Sequence, residues 1–255
     1  MKKSQSVPVH SLGKAMELLE ILLQHRSALS LGELTELSGY PKSTIYALLA
    51  TMMEYSVITQ LPNGKYYLGM KLFECGCAVS GQWDISALAY PYLEDLANIS
   101  KSSAFISVMD GDCIINVEQA TASSGIQVAS QVGFRLPLHA TSQGKLFLSA
   151  LSDVEIKSKM KTLGMPSFTP HTICTLNELI ANIHTINESG YSVENGEYKI
   201  GLRSVAAPIY NHQGKMIYAV GVVGLFRSIY SEEFTQIIEQ VKSTATHLSN
   251  AIGYR

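Results

Sequence analysis

The sequence lacks any apolar run approaching the roughly 18–20 residues that a bilayer-crossing helix needs, and it has no low-complexity tract. The opening Met1-Lys2-Lys3-Ser4-Gln5 is basic but continues into polar residues, so no signal peptide is expected. Cysteine is scarce. Cys75, Cys77, Cys113 and Cys174 have neither metal-ligand spacing nor a secretory context, which predicts reduced thiols in a cytoplasmic protein without membrane contact. No H-E-x-x-H or G-x-S-x-G occurs, and the seven histidines form no metal-binding pattern. Gly144-Lys145 matches the end of a phosphate-binding loop, but His139 stands at the first glycine position and Leu146 at the Ser/Thr position. No catalytic residue, metal or cofactor is therefore expected, and an isolated Glu194 or Glu197 reads as a solvated acid. An excess of charge of one sign is also missing. The net charge is −2, with seven Lys/Arg against six Glu over residues 1–80 and twelve against fifteen acids over residues 81–255. That balance excludes a protein that coats nucleic acid, but specific DNA binding requires only a few cations facing phosphate.

What is present is a folding pattern. The 255 residues, 46% of them hydrophobic, suffice for one large domain or two ordinary ones. Ser11 is a good N-cap for a helix carrying Leu12, Met16, Leu19 and Leu22 or Leu23. Ser30-Leu31-Gly32-Glu33 is a capping box that opens a second helix, broken at Ser38-Gly39-Tyr40. Pro41 suits the first turn of a third helix, whose Ile45, Leu48, Leu49 and Met52 follow at i, i+3, i+4 and i+7. Pro62-Asn63-Gly64-Lys65 then turns a hairpin between Val57-Ile58-Thr59 and Tyr66-Tyr67-Leu68. Three helices and a hairpin make a winged helix-turn-helix over residues 1–69.

Residues 70–84 read as a linker helix interrupted at Gln82-Trp83-Asp84. Asp84 can cap the next helix, which carries Ile85, Leu88, Tyr92 and Leu96 and a kink at Pro91. Over residues 85–255 strand signals (104–109, 114–117, 126–131, 204–210 and 216–225) alternate with helices opened by Ser152-x-x-Glu155, Thr175-x-x-Glu178 and Ser231. The class is α+β with an antiparallel-rich sheet.

Burying Ile45, Leu48, Leu49 and Met52 turns Ser43, Tyr46, Ala47 and Ala50 outward. Lys42, Ser43 and Thr44 lie at the helix N-terminus, where free N–H groups and the helix dipole favour phosphate. This suits a helix that reads a major groove, with Lys65 on the wing as a further phosphate contact. A three-helix module of this kind can instead serve protein contacts, but Ser43, Tyr46 and the small alanines offer no apolar docking patch.

Four segments resemble the IclR family of bacterial transcriptional regulators: Tyr40-Pro41-Lys42-Ser43-Thr44-Ile45-Tyr46, Gly64-Lys65-Tyr66-Tyr67-Leu68-Gly69, Leu136-Pro137-Leu138-His139-Ala140-Thr141 with Gly144-Lys145, and Gly201–Ile209. They occur in order and span nearly the whole chain. The resemblance implies a winged helix, a linker helix and a GAF-like effector-binding domain, assembled as a homodimer or homotetramer on double-stranded operator DNA. It also implies a repressor of catabolic genes released by a small organic acid or sugar-acid-like effector. An activator of the same architecture and a small-molecule enzyme with an N-terminal oligomerisation module are the alternatives.

Members of the family commonly carry arginine where this chain has Ala47. Without that guanine-reading side chain, base contact falls to Tyr46 and Ser43, with Ala47 against a thymine methyl. For the effector, Thr141-Ser142-Gln143-Gly144 precedes the apolar Leu146-Phe147-Leu148, so its N–H groups open a helix facing a polar ligand. By resemblance the site also takes in Glu194, Ser204, Gly221 and Val223, with Val128, Leu136 and Leu202 as lining. Relatives that bind very small keto acids have serines at the positions of Gly221 and Val223. Here the site is expected to be more apolar or roomier, with Gln143 supplying a replacement polar group. Metal binding by a convergence of His139, His171 and Glu194 is a minor alternative that their spacing alone does not establish.

Overall fold

The computed structural model of the chain describes residues 9–25, 27–80, 85–122 and 132–254. The chain divides into two compact units, Met1–Asp84 and Ile85–Arg255.

The first unit consists of α1 (His10–His25), α2 (Leu31–Ser38), α3 (Lys42–Glu54), the hairpin β1 (Ile58–Gln60) and β2 (Tyr66–Leu68), and α4 (Met70–Ser80). α1 starts earlier than its sequence suggests. The Val9 carbonyl accepts the N–H groups of Leu12 and Gly13 at 3.1 and 3.2 Å, which leaves Ser11 inside the helix rather than capping it. α1 buries Leu18 and Leu22, whereas Leu12, Met16 and Leu23 are exposed, so the expected Leu12–Met16 face is the outer one. The capping box of α2 forms in full between Ser30 and Glu33, and Gly39 ends the helix in the left-handed conformation. Pro41 precedes α3 as its N-cap (ψ 141°) instead of standing in the first turn. The core joins Leu18 and Leu22 of α1, Leu34 of α2, Ile45, Leu49 and Met52 of α3, and Ile58 and Tyr66 of the hairpin. Leu29 pairs with Tyr66 in both directions (3.0 and 2.7 Å), which ties the chain entering α2 to the wing.

The second unit begins with α5 (Ile85–Ser100), β3 (Ser103–Asp110), β4 (Cys113–Thr121) and β5 (Arg135–Leu136). It continues through α6 (Ser142–Leu148), α7 (Asp153–Leu163), α8 (Leu176–Ser189), β6 (Ser192–Asn195), β7 (Arg203–Tyr210), β8 (Met216–Gly224) and α9 (Glu232–Ala251). The strands form one antiparallel sheet in the order β5-β4-β3-β8-β7-β6. β5 and β6, of two and four residues, are too short to show a period of two in the sequence. The strand expected over 126–131, Val128 within it and the Asp84 cap lie outside the described residues.

α5 and α9 cover one face of this sheet. Pro91 lies within α5, and the helix buries Ile85, Ala89, Leu93 and Leu96, leaving Leu88 and Tyr92 off that face. On the other face α6 lies against the strands with α8 behind it, in a core that includes Leu146, Phe147, Leu148, Ile183, Ile186, Ala206 and Ala219. All seven residues of α6 are buried. Gly144 lets the helix lie directly on the segment that leads into it, since a Cβ there would stand 2.3 Å from the Leu138 carbonyl oxygen and 2.6 Å from its Cα.

Candidate functional site

On α3 the outward set matches the sequence pattern: Lys42, Ser43, Tyr46 and Ala47 are exposed, and Thr44 is half-buried. Tyr46 is 60% exposed, a high value for a side chain whose neighbours Ile45 and Leu49 are sealed in the core. No side chain caps the helix, so its first N–H groups keep their bonding capacity for an outside acceptor. Lys65 stands on the wing beside α2. Its ammonium lies 3.3 Å from the Glu33 carboxylate, and the wing cation is thus already engaged with α2. The Ser30 N–H and hydroxyl, with Lys65 beside them, hold the Glu33 carboxyl down to about 2.

In the second unit register places side chains from five strands on the face beneath α6. Glu194 of β6 pairs with Ser204 of β7, Ser204 with Val223 of β8, and Val223 with Ser103 of β3. One step along, Ala206, Gly221 and Phe105 share a row, and Ser107 is opposite Asn116 of β4. α6 adds Ser142 and Gln143 from above. The result is a buried polar line. Glu194 Oε2 lies 3.3 Å from the Ser204 hydroxyl, which is 2.8 Å from that of Ser142. Ser142 is 3.2 Å from Gln143 Oε1, and Gln143 Nε2 and the Ser107 hydroxyl both donate to Asn116 Oδ1, at 3.5 and 2.7 Å.

Glu194 is not the solvated acid its isolation in sequence suggests. Only 3% of it is exposed. Burial pushes its carboxyl up to about 7, although N–H donation to Oε1 from Tyr198 at 3.1 Å and from Glu197 opposes the shift. Glu197 is buried as well. One of its oxygens holds the Lys145 ammonium at 2.5 Å, and the other has no hydrogen-bond partner. The Lys145 side chain is completely buried. Lysine at a buried helix position is rare unless paired, and nothing in the linear sequence links Lys145 to an acid 52 positions on. Thr169 and Thr172 donate their hydroxyls to the Glu197 carbonyl at 3.3 and 2.6 Å, which fixes the segment that carries the acid.

Of the residues expected at the site, the structure brings Ser142, Gln143, Glu194 and Ser204 together, with Gly221 and Val223 on the adjoining strand. Leu136 packs into the core around α6, and Leu202 is half-buried in the loop before β7. The space left by Gly221 is not open. A Cβ there would lie 2.2 Å from the Val205 carbonyl and 2.6 Å from Cζ of the Phe105 ring, so an aromatic ring makes this point apolar but not roomy. Phe105, Ser107 and Asn116 are the partners the sequence did not single out. His139 donates from Nε2 to the Pro166 carbonyl at 3.0 Å and stacks near Phe168, a packing role. Among the described residues no three His, Cys, Asp or Glu side chains are grouped to hold a metal ion, and no helix is long and apolar enough to cross a membrane.

A winged helix-turn-helix unit and an α+β unit with a buried polar cluster under one short helix define a two-part architecture of a DNA-binding regulator. Residues 77–250 match the family described as bacterial transcriptional regulator IclR C-terminal, and residues 11–62 match the IclR helix-turn-helix domain. The chain belongs to the IclR family of bacterial transcriptional regulators. It is 30% identical over 247 residues to the HTH-type transcriptional regulator XynR of Escherichia coli (strain K12), covering 96% of this chain and 98% of XynR. It is 26% identical to the HTH-type transcriptional repressor AllR of the same strain, over 96% of this chain and 91% of AllR. An IclR homolog from Microbacterium hydrocarbonoxydans, solved in complex with 4-hydroxybenzoate, has the same fold: TM-score 0.82 at 20% identity, over 95% of this chain and 98% of that one.

The geometry sets two expectations for stability. A buried carboxyl raised from 4.5 to about 7 binds its proton more tightly in the folded chain than in the unfolded one. Its contribution is therefore fully present below about pH 4.5 and is lost as pH rises through about 7, by on the order of 3 kcal/mol. Urea unfolding at pH 5 and pH 8 should show this decline in the natural chain and a flatter profile in Glu194→Gln; parallel profiles would remove the assignment. Lys145→Met leaves Glu197 buried without its cation and should cost about 3–5 kcal/mol. Lys145→Met combined with Glu197→Leu should recover most of that loss, and additive losses would show that the two groups do not act as a pair.

Proposed function

We propose that the chain is an effector-responsive repressor that binds double-stranded operator DNA through α3 and is released by a small hydroxylated organic acid held under α6. The observation that carries this reading is the buried line Glu194–Ser204–Ser142–Gln143–Asn116. It gathers donors and acceptors on one sheet face beneath one helix, where an apolar core would otherwise be expected. A ligand bearing both hydroxyl and carboxyl groups matches that alternation. The name of AllR, a repressor, and the 4-hydroxybenzoate bound to the Microbacterium homolog support both halves of the reading. The protein acts in the cytoplasm without a cofactor and carries no catalytic residue.

The active form is a homodimer, or a homotetramer built from it. Leu12, Met16 and Leu23 stand exposed along α1, and Met70 and Phe73 along α4, and a second copy would cover them. Dimerisation sets the spacing of two α3 helices to two half-sites. The effector binds one arrangement better than the other and shifts the population between them. On α3, Tyr46 and Ser43 read base edges, Ala47 sits against a thymine methyl, and Lys42, Thr44 and the uncapped N–H groups hold phosphate. Lys65 reaches phosphate only by leaving Glu33.

Gel shifts on the intergenic DNA upstream of the chain's own gene test the DNA half. Tyr46→Ala should weaken that DNA by about 1–3 kcal/mol and random DNA little. Lys42→Ala should weaken both alike and lower the salt slope by about one, and Lys65→Ala should lower it by less. An equal loss on both DNAs for Tyr46→Ala would make Tyr46 a positioning residue.

The effector half is tested by disrupting the polar line at α6. With Ser142→Trp, DNA affinity should stay within a few-fold, while the hydroxylated acid that releases the natural chain should no longer do so. Normal release from Ser142→Trp would place the effector elsewhere.

A further inference from the structure

α6 has a second side. One turn beyond Gln143, Leu146 and Phe147 line a cleft of about 700 Å³ between α6, α8 and the ends of β3, β7 and β8, away from the polar line. Its volume falls within the roughly 300–1,000 Å³ usual for small-molecule sites. Met109 and Met216 both line it, and such thioether side chains adapt to ligands of differing shape. The polar groups in the lining include one cation and no anion. Lys215 lines it without an ion-pair partner among the described residues, Asn187 and Ser149 add an amide and a hydroxyl, and Tyr210, whose ring packs on Tyr254, borders it. No Asp or Glu lines the cleft. The cleft thus offers apolar walls with donors and a single positive charge at its edge.

We propose that this cleft is a second small-molecule site, distinct from the one under Ser142 and Ser204, that takes a monocarboxylate with an apolar body. The carboxylate meets Lys215, with the Asn187 amide as a donor, and the body lies against Phe147 and the two methionines. A polyhydroxy acid is excluded because its hydroxyls would face the apolar wall unpaired. An occupant would touch the helix whose first turn carries Ser142 and Gln143, so the two sites share one rigid element.

The test uses the full chain labelled with ¹³C at its methionine methyls, with Met109 and Met216 assigned by single Met→Leu substitutions. Sodium octanoate and 3-phenylpropionate are titrated separately. Saturable shifts of the Met109 and Met216 signals support the site, and the tighter of the two acids tells whether the body is aliphatic or aromatic. Octanamide, with the same chain but no charge, should bind about tenfold more weakly than octanoate, and Lys215→Glu should weaken octanoate by about tenfold or more. Ala150→Trp, an exposed position at the mouth, should abolish the shifts while the remaining methionine signals stay in place. The proposal fails if the Met109 and Met216 signals do not saturate, or if octanoate binds Lys215→Glu and Ala150→Trp as it binds the natural chain. It also fails if those two signals move with protein concentration in the absence of any acid, since a second copy would then cover the cleft.

Discussion

Between Gly144 and the backbone of Leu138 there is no room for a methyl group, and α6 lies against the segment that leads into it at that distance. The rest of the second unit is arranged around this contact. It lets a helix of seven residues sink until every one of its side chains is covered. A helix this short has little stability of its own and is held by packing. Its apolar end, Leu146 to Leu148, fixes it to α8 and the sheet, and its polar end is thereby pressed onto Ser204 and Asn116. Lys145 is carried into the interior by the same descent. Its pairing with Glu197 follows from the need to neutralise a charge that the backbone leaves nowhere else to go.

The legible parts of the sequence were those governed by local rules. The Ser30–Glu33 box, the Gly39 stop, the buried stripe of α3 and the turn at Asn63-Gly64 each depend on neighbours a few positions apart, and they stand where the residues put them. Ser142, Gln143, Glu194 and Ser204 meet in space as the family resemblance implied. What stayed hidden depends on distant partners. Lys145 and Glu197 are 52 positions apart, and Phe105 fills the space over Gly221 only because register aligns two strands. α1 misleads for a related reason: it carries apolar residues on two sides, and period alone does not tell which side faces the core.

In the first unit the cation on the wing is held by the acid that closes the α2 cap. Glu33 therefore does two jobs, accepting the Ser30 N–H and steadying Lys65. The pair is exposed and contributes little to stability. Its effect is on position, since it holds the hairpin near α2, and the Leu29–Tyr66 bridge reinforces the same placement. The outward face of α3 keeps Lys42, Ser43 and Tyr46 exposed.

The polar line under α6 also has a hydrogen inventory. Three oxygen–oxygen links run from Glu194 through Ser204 and Ser142 to Gln143, and the two hydroxyls bring one hydrogen each. With the carboxyl ionised, one link is left with two facing lone pairs. A single proton on Glu194 completes the row, and every group then donates in the same direction: acid to Ser204, Ser204 to Ser142, Ser142 to the Gln143 carbonyl, and the Gln143 amide onward to Asn116. The carboxyl that burial pushes up to about 7 is thus the one place where an added hydrogen fills a deficit. The orientation of a row of dipoles that crosses from β6 through α6 to β4 is set at its acid end.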